Sequence, residues 1–454
     1  MGRYYTPLRL ARRVHPSPAV KFPKNRAMSE RSDFPPVTDV PGSPSLPGAF
    51  FVAVFLSLIP ASSPARAQAP VELPADLSTR PGSDWPAFLG PTADGKSPET
   101  GLLVPWPAAG PRLVWQQRVG TGYGAPSVSR GRLFHFDRRA DSARLTCYRA
   151  ETGEPLWTFE YPTAYEDLYG YDNGPRCCPV VDGDRVYVYG AEGMLHCVRA
   201  ADGALVWKVD TVREYGVVQN FFGVGSAPIV EGDLLIVQVG GSPPEAAEVP
   251  RGQLNLVRGN GSCIVAFDKF TGRERYRLSD ELASYAVPAA ATVGERRRCF
   301  AFTRGGLLGF DPQRGTQDFF FPWRAQVLES VNASNPVVVG DRVLVSECYG
   351  PGSALVRMAP AGVEVVWRDD ENSRRKALQT HWNTPIHLDG FVYASSGRHS
   401  NDAELRCVRL DTGEVMWSEP NLSRASLTSV AGHLPCPPAP GDLLSFRAGP
   451  ASIA

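Results

Sequence analysis

The chain has 454 residues, 43% of them hydrophobic and 21% charged, with a formal net charge of zero. Residues 1–67 carry nine Lys/Arg against three Asp/Glu, so the remainder is acidic by about six charges. That balance and the lack of a concentrated basic stripe argue against a nucleic-acid partner, and the length suits one large repeat domain behind an N-terminal extension.

Residues 1–48 are Pro-rich, basic at the start and without periodicity, which predicts a disordered extension. AFFVAVFLSLI (49–59) is too short to span a bilayer, and ASSPARA follows with small residues at Ala65 and Ala67. Residues 49–67 therefore read as a signal-peptide core with cleavage after Ala67, the alternative being a buried hydrophobic strand. Because the core sits behind about 48 residues, either translation starts downstream of Met1, with Met28 a candidate, or the leader is long. Ala67 is followed by Gln68 and not by a lipobox Cys, so a soluble, exported, periplasmic protein is expected, not an integral membrane protein. Residues 68–111 are a lead-in.

From there two patterns alternate. One is a Pro-opened apolar strand, a Gly turn and a second apolar strand: APSVSRGRLF (125–134), CPVVDGDRVYV (178–188), APIVEGDLLIV (227–237), NPVVVGDRVLV (335–345) and TPIHLDGFVYA (384–394). VPAAATVGERRRCFAF (287–302) and SLTSVAGHL (426–434) are variants. The other is a strand, a tight Gly turn and a strand closed by Trp: LTCYRAETGEPLW (145–157), LHCVRAADGALVW (195–207) and LRCVRLDTGEVMW (405–417), with weaker copies IVAFDKFTGRERY, LLGFDPQRGTQDF and ALVRMAPAGVEVVW. Together they make a unit of four short antiparallel strands that cannot bury its apolar faces alone. Stacked radially, such units predict an all-β fold, a single seven-bladed β-propeller over 112–448, with eight blades if 80–111 adds a further one. Trp157, Trp207, Trp367 and Trp417 are expected to fill the wedges between blades. RLVWQQRV (112–119), with its own Trp115, is expected to supply the outer strand of the last blade and so close the ring from the N-terminal side. Pro435, Pro437, Pro438 and Pro440 fall where a strand of that blade should run.

Of nine Cys, Cys147, Cys197 and Cys407 hold one equivalent position in three blades, too far apart to bridge, and read as small buried hydrophobes. Cys177 and Cys178 are adjacent at a strand start expected to face the axis, where two free thiols or a strained vicinal disulfide are both open. No GxSxG, HExxH, CxxCH or P-loop occurs, and GTGYGA (120–125) lacks the third Gly of a dinucleotide fingerprint. No catalytic residue is assigned, and the seven scattered His define no metal site.

In a four-stranded blade the second and fourth connections share a face, and here they are the long ones: 161–176, 209–225, 240–261 and 368–383. Long loops on a rigid scaffold carry binding. They bring Tyr123, Arg176, Arg324, Asn335, His381, Trp382, Asn383, Arg398, His399, Glu404 and Arg424 toward the axis. Guanidinium forks pair carboxylates and stack on rings, so the face suits a small anionic or aromatic ligand or a protein partner. The alternative is that these side chains tie the loops to one another.

The repeated strand, Thr-Gly turn and Trp resemble the tryptophan-docking repeat of the pyrroloquinoline quinone (PQQ) dehydrogenase superfamily, over roughly 110–448. DWPAFLGPTADGKSPETGL (84–102) and SSGRHSNDAELRCVRLDTGEVMWSEP (395–420) resemble exported PQQ-like propellers of planctomycete bacteria. The superfamily includes dehydrogenases that bind PQQ and calcium on the axis and a non-catalytic lipoprotein that helps assemble outer-membrane β-barrels. The dehydrogenase likeness implies that Cys177 and Cys178, with Arg176 beside them, lie over the cofactor, but no motif places the stacking Trp or the calcium ligands. The leading expectation is a non-enzymatic, exported binding or assembly scaffold with no cofactor. A PQQ- and calcium-dependent alcohol or sugar dehydrogenase and an outer-membrane assembly factor are the alternatives.

Overall fold

The computed structural model describes residues 73–102, 106, 111–218, 220–422, 424–436 and 444–452. The N-terminal extension, the signal-peptide region and Pro437 to Pro440 lie outside them. Seven four-stranded sheets form among the described residues. In the sheet of residues 127–162, strands Ser127–Ser129, Arg132–Arg139, Ser142–Arg149 and Pro155–Pro162 pair antiparallel in chain order. The sheets over 180–210, 229–278, 289–322, 337–368 and 386–420 repeat that order, and the result is a β-propeller. The second and third strands carry most of the buried residues, and separate apolar clusters fill the spaces between neighbouring sheets.

The Trp positions dock one blade on the next. Indole N–H groups of Trp157, Trp207, Trp367 and Trp417 donate to the carbonyls of Ala200, Lys269, Leu410 and Gly449 at 2.8–3.1 Å. Each of the first three rings lies against the turn glycine of the next sheet. A Cβ on Gly272, at φ +70°, would sit 2.7 Å from the Trp207 ring. Tyr276 replaces Trp in one blade, donating to Pro312 O at 2.5 Å and covering Gly315. Cys147, Cys197 and Cys407 are buried free thiols opposite Trp157, Trp207 and Trp417 in the strand register. A small side chain is needed where the large ring crosses.

An N-terminal strand completes the last sheet, as expected, but it comes from a different segment. Residues 112–119 form no strand. Trp115 instead donates to Ala150 O at 2.9 Å and covers Gly153, whose carbonyl accepts from Gln117 Nε2 at 2.9 Å. Side-chain docking thus holds the segment on the 127–162 sheet without a ladder. The last sheet is completed on its other edge by Lys96–Ser97, which pairs parallel with Ser429–Val430. Strands His433–Cys436 and Leu444–Arg447 follow, and Pro435 is accommodated opposite Ser445. Ahead of this the lead-in runs past the inner strands, where Trp85 and Val128 exchange two backbone bonds of 2.8 Å and Pro86 O accepts from Val181 N.

Candidate functional site

The connections between blades and those between second and third strands converge on one face around a cavity of about 770 Å³. Its wall is largely aromatic. Phe222 lies 5.6 Å from Tyr285, 5.7 Å from Tyr169, 6.1 Å from Tyr171 and 6.4 Å from Trp382 between ring centroids. Trp382 continues to His381 at 4.3 Å, and His381 to Tyr349 at 5.4 Å. Such tilted contacts suit ring quadrupoles, and the rings form an unbroken belt.

Cations stack on this belt. Arg398 lies 4.5 Å over Tyr349, Arg424 5.0 Å over Trp382 and Arg176 5.0 Å over Tyr123. Among the described residues, three guanidiniums and His399 line the cavity against one carboxylate, the exposed Glu329, and of the three only Arg176 is ion-paired, with Asp167 and Asp172. The Arg398 guanidinium makes no hydrogen bond among the described residues. Arg424 donates to His381 Nδ1 at 3.1 Å, and His381 Nε2 lies 3.0 Å from the Tyr349 hydroxyl. Burial, and then the charges of Arg424 and Arg398, hold the imidazole neutral by lowering its pKa to about 3, while the Arg398 carbonyl pulls more weakly the other way.

Of the residues expected from sequence, Tyr123, Cys177, Cys178, His381, Trp382, Arg398, His399 and Arg424 line the cavity. Arg176 also lines it but is committed to the scaffold. It donates to Phe222 O, Gly174 O, Asp172 O and Asp167 Oδ2 at 2.6–3.1 Å, stapling two long loops together. Four other residues do not line the cavity. Asn383 donates to Ser395 O, and Asn335 Oδ1 accepts from Val287 N, both at 2.8 Å. Arg324 bonds carbonyls of its own loop. Glu404 sits in a strand, where it accepts from Arg406 and Ser418.

Sequence reading missed Phe88, Tyr169, Tyr171, Phe222, Tyr285, Glu329 and Tyr349. Several of the rings come from long loops anchored by an apolar cluster of Phe221, Ala246, Leu254, Val257 and Val331. Aromatic density in 161–176 and 218–225 was the available signal. Cys177 and Cys178 are buried free thiols, and burial raises the Cys178 pKa to about 12, so neither is a ready nucleophile.

A ring of tryptophan-docked, four-stranded blades around an axial cavity defines a PQQ-like β-propeller. The chain belongs to the family described as outer membrane protein assembly factor BamB, whose profile matches residues 104–242 and 141–419. No curated protein matches the sequence. Similar solved structures include BamB from Moraxella catarrhalis, at 16% identity over 72% of this chain and 82% of that one, with a TM-score of 0.47. The quinohemoprotein alcohol dehydrogenase ADHIIG from Pseudomonas putida HK5 is 13% identical over 70% of this chain and 62% of that one, also with a TM-score of 0.47. A europium-containing methanol dehydrogenase is 14% identical over 69% and 72%, with a TM-score of 0.46.

PQQ and calcium, which the dehydrogenase likeness implies, fit unequally. The cavity has room and cationic side chains for a planar polyacid, and Cys177 and Cys178 line it. Calcium takes six to eight oxygen ligands, rich in carboxylate. The lining offers one, Glu329, and no cluster of three or more His, Cys, Asp or Glu occurs among the described residues. The donor set does not fit a calcium centre, and no chemical step is derived through one.

Proposed function

We propose that this protein is an exported, non-enzymatic binding scaffold that takes a small, planar, anionic ligand into the axial cavity of its long-loop face. The observation that carries this is the composition of the wall, a continuous aromatic belt with two stacked guanidiniums, Arg398 and Arg424, that have no carboxylate partner among the described residues. Rings accept a flat ligand face and guanidinium forks pair its carboxylates. Among the described residues the Arg398 guanidinium has no hydrogen-bond partner, so its donors are available to a ligand. Export follows from the apolar run at 49–59 and the small residues before Gln68.

Two other readings each have a specific observation. The position of Cys177 and Cys178 on the cavity wall favours a PQQ-dependent dehydrogenase. Family membership favours a role in outer-membrane protein assembly, with Tyr123, Tyr171 and Trp382, exposed at 61%, 68% and 48%, as a contact patch for a protein. Calorimetric titration with PQQ, itself a planar polycarboxylate, separates the three. Binding without calcium that is lost in Arg398→Ala supports the scaffold. Binding that requires calcium and both cysteines moves the dehydrogenase forward. No binding of PQQ or of simpler aromatic acids turns the search to protein partners.

A further inference from the structure

We infer that Tyr349 is the hydrogen-bond donor that selects the ligand's acceptor oxygen, and that Arg424, acting through His381, sets its direction. This rests on the axial cavity being the binding site. A guanidinium only donates, so the Arg424 contact at 3.1 Å leaves His381 Nδ1 without a proton. An Nδ1–H would point at the guanidinium it faces. The neutral ring therefore carries its proton on Nε2, which lies 3.0 Å from the Tyr349 oxygen and donates to it. The phenol then keeps its own proton for another acceptor, and none exists among the described residues. Tyr349 and His381 both line the cavity.

The surroundings hold this arrangement in one direction. Trp382 packs on the imidazole at 4.3 Å, and Arg398 lies over the Tyr349 ring at 4.5 Å. The charged and titratable groups facing His381 are Arg424, Arg398 and His399, whose charges disfavour an imidazolium, and the Arg398 carbonyl, a weaker influence, pulls the other way. Reversal of the chain would require Tyr349 to donate to Nε2 while Nδ1 took the proton that Arg424 blocks. The cavity thus presents a fixed donor at Tyr349, matched to a carboxylate, carbonyl or quinone oxygen and mismatched to an ammonium.

Two measurements on the full chain test this. Long-range proton–nitrogen correlation NMR should find His381 with a bare Nδ1 and a protonated Nε2 from pH 8 to pH 5. Arg424→Ala should give mixed tautomers, and Arg424→Lys should restore the single one. A protonated Nδ1 in the wild type overturns the inference whether or not any ligand binds. In the second, naphthalene-2-carboxylate and naphthalene-2-methanamine are titrated into wild type and Tyr349→Phe. Loss of about fivefold to tenfold in affinity for the carboxylate, with the amine unchanged, is expected for removal of one donor. Equal effects on both overturn the donor role, while retained carboxylate binding that Arg398→Ala abolishes leaves the proposed function standing. If neither compound binds wild type, the proposed function fails and the tautomer alone decides the Arg424 to Tyr349 chain.

Discussion

Replacing Gly272 by Ala probes what holds the blades together, because Gly294→Ala supplies a matched control. Both glycines have positive φ, +70° and +61°, so both substitutions carry the same backbone penalty of about 1–2 kcal/mol. At Gly294 a Cβ meets nothing within 4 Å, whereas at Gly272 it meets Trp207 ring carbons at 2.7 Å. The ring is 9% exposed and cannot tilt away without repacking, which costs about 1–3 kcal/mol. Displacement also stretches the 3.1 Å bond from Trp207 Nε1 to Lys269 O, worth about 1 kcal/mol. Gly272→Ala should therefore be less stable than Gly294→Ala by about 2–4 kcal/mol in urea denaturation followed by Trp fluorescence. Agreement of the two variants within about 0.5 kcal/mol, at equal denaturant slopes, would refute the idea that Trp-on-Gly docking bears the load between blades.

Burial raises Glu347 to about 7 from an ordinary 4.5 although it accepts from Ser330 and the Tyr349 and Gly350 amides. A raised carboxyl favours the fold below the unfolded value, and that stability is lost as pH climbs through about 7, an amount on the order of 3 kcal/mol. Glu347→Gln should flatten the pH 4.5–7.5 dependence of the unfolding midpoint, and an unchanged slope would contradict this. Arg176→Ala leaves Asp167, whose side chain is fully buried, without its 2.8 Å partner, and should cost about 3–5 kcal/mol by thermal or chemical unfolding. Cys177 and Cys178 should resist alkylation by iodoacetamide in the native protein at pH 8, as burial raises both thiols. Rapid labelling, read by intact mass, would show the pair to be open.

The blade repeat was legible because its chemistry recurs. A turn Gly at positive φ, a small residue opposite a Trp and a Pro-opened inner strand appear in several copies. Residues 112–119 carry the same strand pattern, yet docking of Trp115 and Gln117 on the Ala150 to Gly153 turn fixed them without a ladder, a choice between side chains and backbone that pattern alone does not make. Arg398, Arg424, His381 and Trp382 were found because long loops were known to share a face. Glu404 and Asn383 were drawn in by the same reasoning, but strand pairing and a bond to Ser395 turn them to structural work. Phe222, Tyr285 and Tyr349 were missed because loop residues have no period, and only the fold shows which rings meet. Phe88 arrives from the lead-in, whose path past the inner strands depends on backbone pairing by Trp85 and Pro86.

The most direct test of the axial cavity as a binding site is calorimetric titration of the protein with naphthalene-2,6-dicarboxylate, alongside Arg398→Ala and Trp382→Ala. Saturable one-to-one binding in wild type is predicted, weakened about tenfold or more in each variant, as expected for loss of a charge-assisted hydrogen bond or of an aromatic face. No saturable heat in wild type, or affinity unchanged in both variants, would contradict the account.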